Sequence, residues 1–124
     1  MTLVDTSVWI DHFRRDDPIL KELLINGKVA VHPFIIGELS CGNLRNRKEI
    51  LHLLSELPQA TIAEHCEVLG FIETNKLYGT GMGWIDAHLI ASALLTNLTV
   101  FTYDKAIGEA AARLGIEYKD RILG

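Results

Sequence analysis

Apolar and polar positions follow two alternating periods along this chain. Thr2-Leu3-Val4, Lys28 through His32 and Leu98 through Thr102 are apolar runs of strand length, rich in β-branched residues. After each comes a stretch whose apolar residues recur at helical spacing. Val8-Trp9-Ile10 and Phe13 make one such face, predicting helical turns to about residue 13. "PILKELLI" predicts an amphipathic helix that Asn26-Gly27 stops. Pro33 suits the first turn of the next helix. Two longer helical patterns, at about 46–57 and 64–78, are parted by Pro58 and a strand-like "ATI". Beyond "YGTGMG" the pattern predicts a helix from about Trp84 to Thr96 and another from about Lys105 to Leu114, with "IEY" as a last short strand. Strands alternating with helices imply a central parallel sheet covered on both faces, so the expected class is α/β.

Composition adds bounds to this picture. A chain of 124 residues, 48% hydrophobic, is expected to form a single domain over 1–124 with a substantial core. No apolar stretch reaches bilayer length and no signal-peptide pattern opens the chain, so a cytoplasmic protein without a membrane partner is expected. Cys41 and Cys66 stand apart without CxxC spacing, which argues against a zinc site and for reduced thiols. Net charge is 12 − 16 = −4, which at first disfavours a nucleic-acid partner. If four carboxylates were held around cations, the remainder would be 12 − 12 = 0, and the objection lapses.

Four carboxylates invite that assignment. Asp5 and Asp104 each follow a strand, and sites in open parallel sheets form at the carboxyl ends of strands. A helix N-cap explains either one taken singly. Glu38 falls on the apolar stripe of Phe34, Ile35, Leu39 and Gly42, where a glutamate is expected to face inward with a partner. Asp86 shares a face with Leu89, Ile90 and Ala93 in the first turn of its helix, where the helix dipole favours its ionised form. Gathered acids repel one another unless a cation neutralises them. Hard oxygen donors suit Mg2+, with Mn2+ as a substitute, and water or phosphate completing the shell. Such a cluster equips a protein for metal-assisted phosphodiester hydrolysis.

In order and spacing, "LVDTSVWID", "IIGEL", "GWIDAHLIASALL" and "LTVFTYDKAI" resemble the four acidic motifs of PIN domains, and more narrowly of VapC-type ribonuclease toxins of bacterial toxin–antitoxin pairs. The resemblance spans the whole chain. It implies a three-layer α/β/α sandwich and Mg2+-dependent endonucleolytic cleavage of RNA, with Asp5, Glu38, Asp86 and Asp104 as the metal-binding, catalytic acids. It also implies a homodimer and a cognate antitoxin that inserts a segment near the site. The chain departs from the pattern after Asp86, where Ala87 and His88 stand and many relatives carry a second acid, so one or two ions remain open.

Around these motifs, Thr6 and Thr102 flank acids and are candidates to steady them by hydrogen bonds. Arg14, Arg15, Arg45, Arg47 and Lys48 are candidate RNA contacts, or else solvated charges. Gly79, Gly81 and Gly83 read as a turn rather than a phosphate loop, because no strand leads directly into them. The histidines show no metal-ligand spacing, and Ser7 has no nearby histidine base in sequence. Two other readings stay open: a non-catalytic PIN-like module that binds RNA or protein, and a phosphoacceptor receiver with Lys105 as its lysine. The receiver leaves Glu38 unexplained, and the complete acid set argues against the non-catalytic module.

Overall fold

The structure is a computed structural model that describes residues 1–120; the last four residues of the expected domain lie outside the described residues. Three short strands, β1 (Thr2–Val4), β2 (Val29–Ala30) and β3 (Thr99–Phe101), form a parallel sheet in the order β2-β1-β3. Thr2 aligns with Val29 on one side and with Thr99 on the other. Single parallel bridges, Val31 to Gln59 and Val100 to Glu117, extend the sheet at both edges. The central strand is buried on both faces: Leu3 and Val4, whose side chains point to opposite sides, are both 0% exposed. Truncating either to alanine would open a cavity in close-packed surroundings; for Leu3 that costs about 2–5 kcal/mol.

The described residues also form seven helices: α1 (Thr6–Arg15), α2 (Pro18–Ile25), α3 (Pro33–Ser40), α4 (Arg47–Glu56), α5 (His65–Thr74), α6 (Trp84–Thr96) and α7 (Lys105–Arg113). Their starts follow from capping chemistry. Asp17 caps α2 by accepting the Ile19 and Leu20 amides, with Pro18 in the first turn. His32 caps α3 through Nδ1, which accepts the Phe34 amide at 2.9 Å. Gly27, at φ +64°, supplies the left-handed residue after α2. Helix α6 is the most deeply set, buried from Ala87 to Ala93, and it contacts β3, α5 and α7.

Two expectations need correction. "ATI" is not a strand: only the preceding Gln59 pairs with the sheet, and Pro58 lends its carbonyl to the Val31 amide. The helix expected over 64–78 stops at Thr74, where Asn75 caps the end and Lys76 takes a left-handed conformation.

Candidate active site

Asp5 ends the central strand, from which the chain reaches neighbours on both sides of the sheet. Its amide donates to the Phe101 carbonyl and so continues the β1–β3 ladder. The side chain, 5% exposed, is clamped through one oxygen. Oδ2 accepts from the Ser7 hydroxyl at 2.8 Å, the Thr102 hydroxyl at 2.8 Å and, more weakly, the Ser7 amide at 3.4 Å. Oδ1 accepts no hydrogen bond among the described residues. Asp5 thus caps α1 with one oxygen and keeps the other available.

Asp104 behaves alike. It caps α7, Oδ1 accepting the Ile107 amide at 3.0 Å, and it is exposed. Its own amide donates to the Thr102 hydroxyl at 2.9 Å, so one threonine bridges the Asp104 backbone and the Asp5 carboxylate. Asp86, in the first turn of α6, is half-buried and accepts the Gly83 amide at 3.0 Å through Oδ2. Burial raises its pKa, the Gly83 hydrogen bond opposes the rise, and the charges of Asp5 and Asp104 add to it. Asp86 therefore lies close enough to feel the charges of two acids from distant parts of the chain.

Glu38 requires a correction. It does not face inward but is exposed, because Ile35 and Leu39 hold the core-facing line of α3 and Glu38 lies on the flank of half-buried Phe34. Gly42 lies beyond the helix end at Ser40 and is exposed too. The Glu38 carboxylate nevertheless reaches the Asp5 edge, where Oε1 accepts the Thr6 hydroxyl at 2.9 Å. Thr6 and Thr102 thus each hold an acid.

The cations are less uniform. Arg14 and Arg45 line a groove of about 870 Å³ together with Thr6, Glu38 and the apolar Ile10 and Phe13. Arg15 is engaged with Asp11 at 2.8 Å, and Arg47 donates to the Ser40 carbonyl at the end of α3. Lys48 is exposed on α4.

Several structural partners were not legible in the sequence. Ser7, weighed there only as a nucleophile without a histidine base, both grips Asp5 and accepts the Tyr103 amide at 3.0 Å. Tyr103 in turn donates its phenol to Asp17, which is only 3% exposed. Burial would raise the Asp17 pKa, yet hydrogen bonds from Tyr103, Leu20 and Ile19 outweigh it and hold the carboxyl below its usual value. Behind the site, fully buried His32 meets the Ser92 hydroxyl at 3.1 Å through Nε2, and Ser92 donates to the Thr61 carbonyl at 2.6 Å. The Phe34 amide points at Nδ1, so the ring is neutral with its proton on Nε2, and it ties the start of α3 to α6. Burial, helped by nearby His88, depresses its pKa from 6.5 to about 4.

The family comparison now has geometry to meet. The PIN domain model matches residues 2–113. The chain belongs to the PIN domain family. It is also 39% identical over 123 residues to the protein named Ribonuclease VapC32 in two strains of Mycobacterium tuberculosis, covering 98% of this chain and 99% of that relative. Asp5 and Asp104 stand at the carboxyl ends of β1 and β3. Among the described residues, no group of three or more His, Cys, Asp or Glu side chains is placed to hold a metal ion. Mg2+ keeps several waters and takes one or two carboxylates plus substrate phosphate, so spaced acids with spare oxygens fit it. Among the described residues, no helix is long and apolar enough to cross a membrane.

Proposed function

We propose that this PIN domain is an endoribonuclease that uses Mg2+, or Mn2+ in its place, to cut RNA phosphodiester bonds as the toxin of a toxin–antitoxin pair. The observation that carries the reading is the placement of acids from three separate segments: Asp5 and Asp104 follow β1 and β3, and Asp86, whose pKa burial raises, lies close enough for their charges to add to the rise. Such repulsion is costly for folding alone and is relieved by a divalent ion. Likeness to a protein named as a ribonuclease, across nearly the whole chain, supports the same reading.

In this proposal one or two of Asp5, Asp86 and Asp104 would bind the ion directly through the oxygens that capping leaves spare, and the others, with Glu38 on the α3 flank, would hold its waters. A bound divalent ion would supply a water of lowered pKa and positive charge near the leaving oxygen. Ser7 and Thr102 fix the Asp5 carboxylate so that little reorganisation is needed when charge develops. Thr6 does the same for Glu38. Arg14 and Arg45 flank the groove beside Glu38 and are suited to RNA phosphates, with Arg15, Arg47 and Lys48 further out. A cognate antitoxin would cover this edge in the cytoplasm, and the toxin would act as a homodimer. The direct test is cleavage of a structured RNA by the purified, antitoxin-free protein. Cleavage with Mg2+ that EDTA abolishes is the expected result; EDTA-resistant cleavage, or none, would overturn the proposal.

A further inference from the structure

The segment between β3 and α7, residues 102–104, carries Asp104 and the hydroxyl that grips Asp5, yet it belongs to neither element. Besides the Ile107 and Gly108 amides of α7, which donate to Asp104, four hydrogen bonds hold it. Thr102 donates to Asp5, the Asp104 amide donates to Thr102, and the Tyr103 amide donates to Ser7. The fourth is different in kind: the Tyr103 phenol reaches Asp17 at the start of α2, 86 residues away. Asp17 is itself immobilised, since its other oxygen accepts two α2 amides at 3.0 Å and its own amide donates to His12 Nδ1 at 3.0 Å. The buried carboxylate is therefore a fixed anchor, whereas the Tyr103 ring it holds is 51% exposed and meets Phe101 edge-on at 5.3 Å between centroids.

We infer that Tyr103 is a positioning residue, whose phenol, anchored on Asp17, sets where the 102–104 segment presents Asp104 and the Thr102 clamp on Asp5. The inference rests on the proposed metal-dependent cleavage and adds a residue that acts through Asp104 and Asp5. Removing the phenol leaves the ties to Asp5, to Ser7 and to the start of α7, but cuts the link to the buried Asp17 that holds the segment from the α2 side. Misplacement by about 1 Å can cost roughly 100-fold in rate, so a partial loosening should cost about tenfold.

The test compares wild type, Tyr103→Phe, Asp17→Asn and the double variant. Asp17→Asn keeps a helix cap, and Tyr103→Phe keeps the exposed ring, so both should fold. Each is measured for kcat and KM on RNA, and for the Mn2+ concentration that half-saturates the rise in melting temperature. The expected result is a kcat about tenfold lower, an unchanged KM, a higher Mn2+ midpoint, and no further loss in the double variant. A lower metal-free melting temperature with wild-type kcat and Mn2+ midpoint would mean a merely structural bond and would overturn the inference while leaving the nuclease reading intact. A wild type that neither cuts RNA nor responds to Mn2+ would remove both.

Discussion

Acid should loosen the junction between α3 and α6 through His32. This ring is 0% exposed, neutral, and depressed from 6.5 to about 4 by burial and by His88. The unfolded chain binds a proton at 6.5 and the folded one resists it, so stability is fully present above pH 6.5 and is lost as pH falls toward 4. The gap between 6.5 and about 4 corresponds at most to about 3 kcal/mol, of which about 2 kcal/mol is already lost at pH 5. That is a large share of a typical total of about 5–15 kcal/mol. The variant to compare is His32→Asn, since asparagine can still cap α3 but does not titrate. It should be less stable than wild type at pH 7.5, by about 1–3 kcal/mol for the lost buried contact to Ser92. Urea denaturation at pH 7.5 and pH 5 reads both effects. Wild type should lose about 2 kcal/mol more than the variant over that interval. Equal losses in the two proteins would refute a buried, neutral His32.

Asp86→Asn should raise the stability of the metal-free protein at neutral pH. A carboxyl whose folded pKa is raised above 3.8 contributes stability at low pH that is lost as pH rises through the window between the two values. Thermal melts from pH 4 to 7 should show a flatter profile in the variant; an unstable variant at pH 7 would count against the repulsion. Thr102→Val removes the clamp on Asp5 and one support of Asp104, so melting should fall by an amount equivalent to about 1 kcal/mol while RNA cleavage falls far more. Cleavage unchanged in that variant would dismiss the clamp. Ile25, 75% exposed on α2, and Leu53, 58% exposed on α4, offer apolar area for a second copy, and light scattering at micromolar concentration should give a dimer mass. A monomer mass would remove the homodimer alone.

Much of this was legible because it depends on local rules. The three main strand runs, the "PILKELLI" helix and its Asn26-Gly27 stop are each fixed by neighbours in sequence, and they fall where the pattern places them. Asp5 and Asp104 were legible as strand-end acids, and the capping reading of each is also realised. The two roles are compatible because a carboxylate has two oxygens. Glu38 shows where periodicity misleads: a stripe drawn through four residues hides a rotation of the helix that puts Ile35 and Leu39 inward and Glu38 on the rim. The Thr102–Asp5, Tyr103–Asp17 and His32–Ser92 bonds join residues 97, 86 and 60 positions apart, and no single-chain pattern encodes such pairs.

Whether the acids work as one unit is tested most directly by RNA cleavage with Mg2+ in wild type, Asp5→Asn, Glu38→Gln, Asp86→Asn, Asp104→Asn and the Asp5→Asn/Asp86→Asn double variant. If they share an ion, each single change should lose most of the activity and the double should lose scarcely more, since groups that act together are non-additive. Near-wild-type cleavage by Asp5→Asn or Asp86→Asn would contradict the account. An active Asp104→Asn alone would reduce Asp104 to the cap of α7, which asparagine fills equally well.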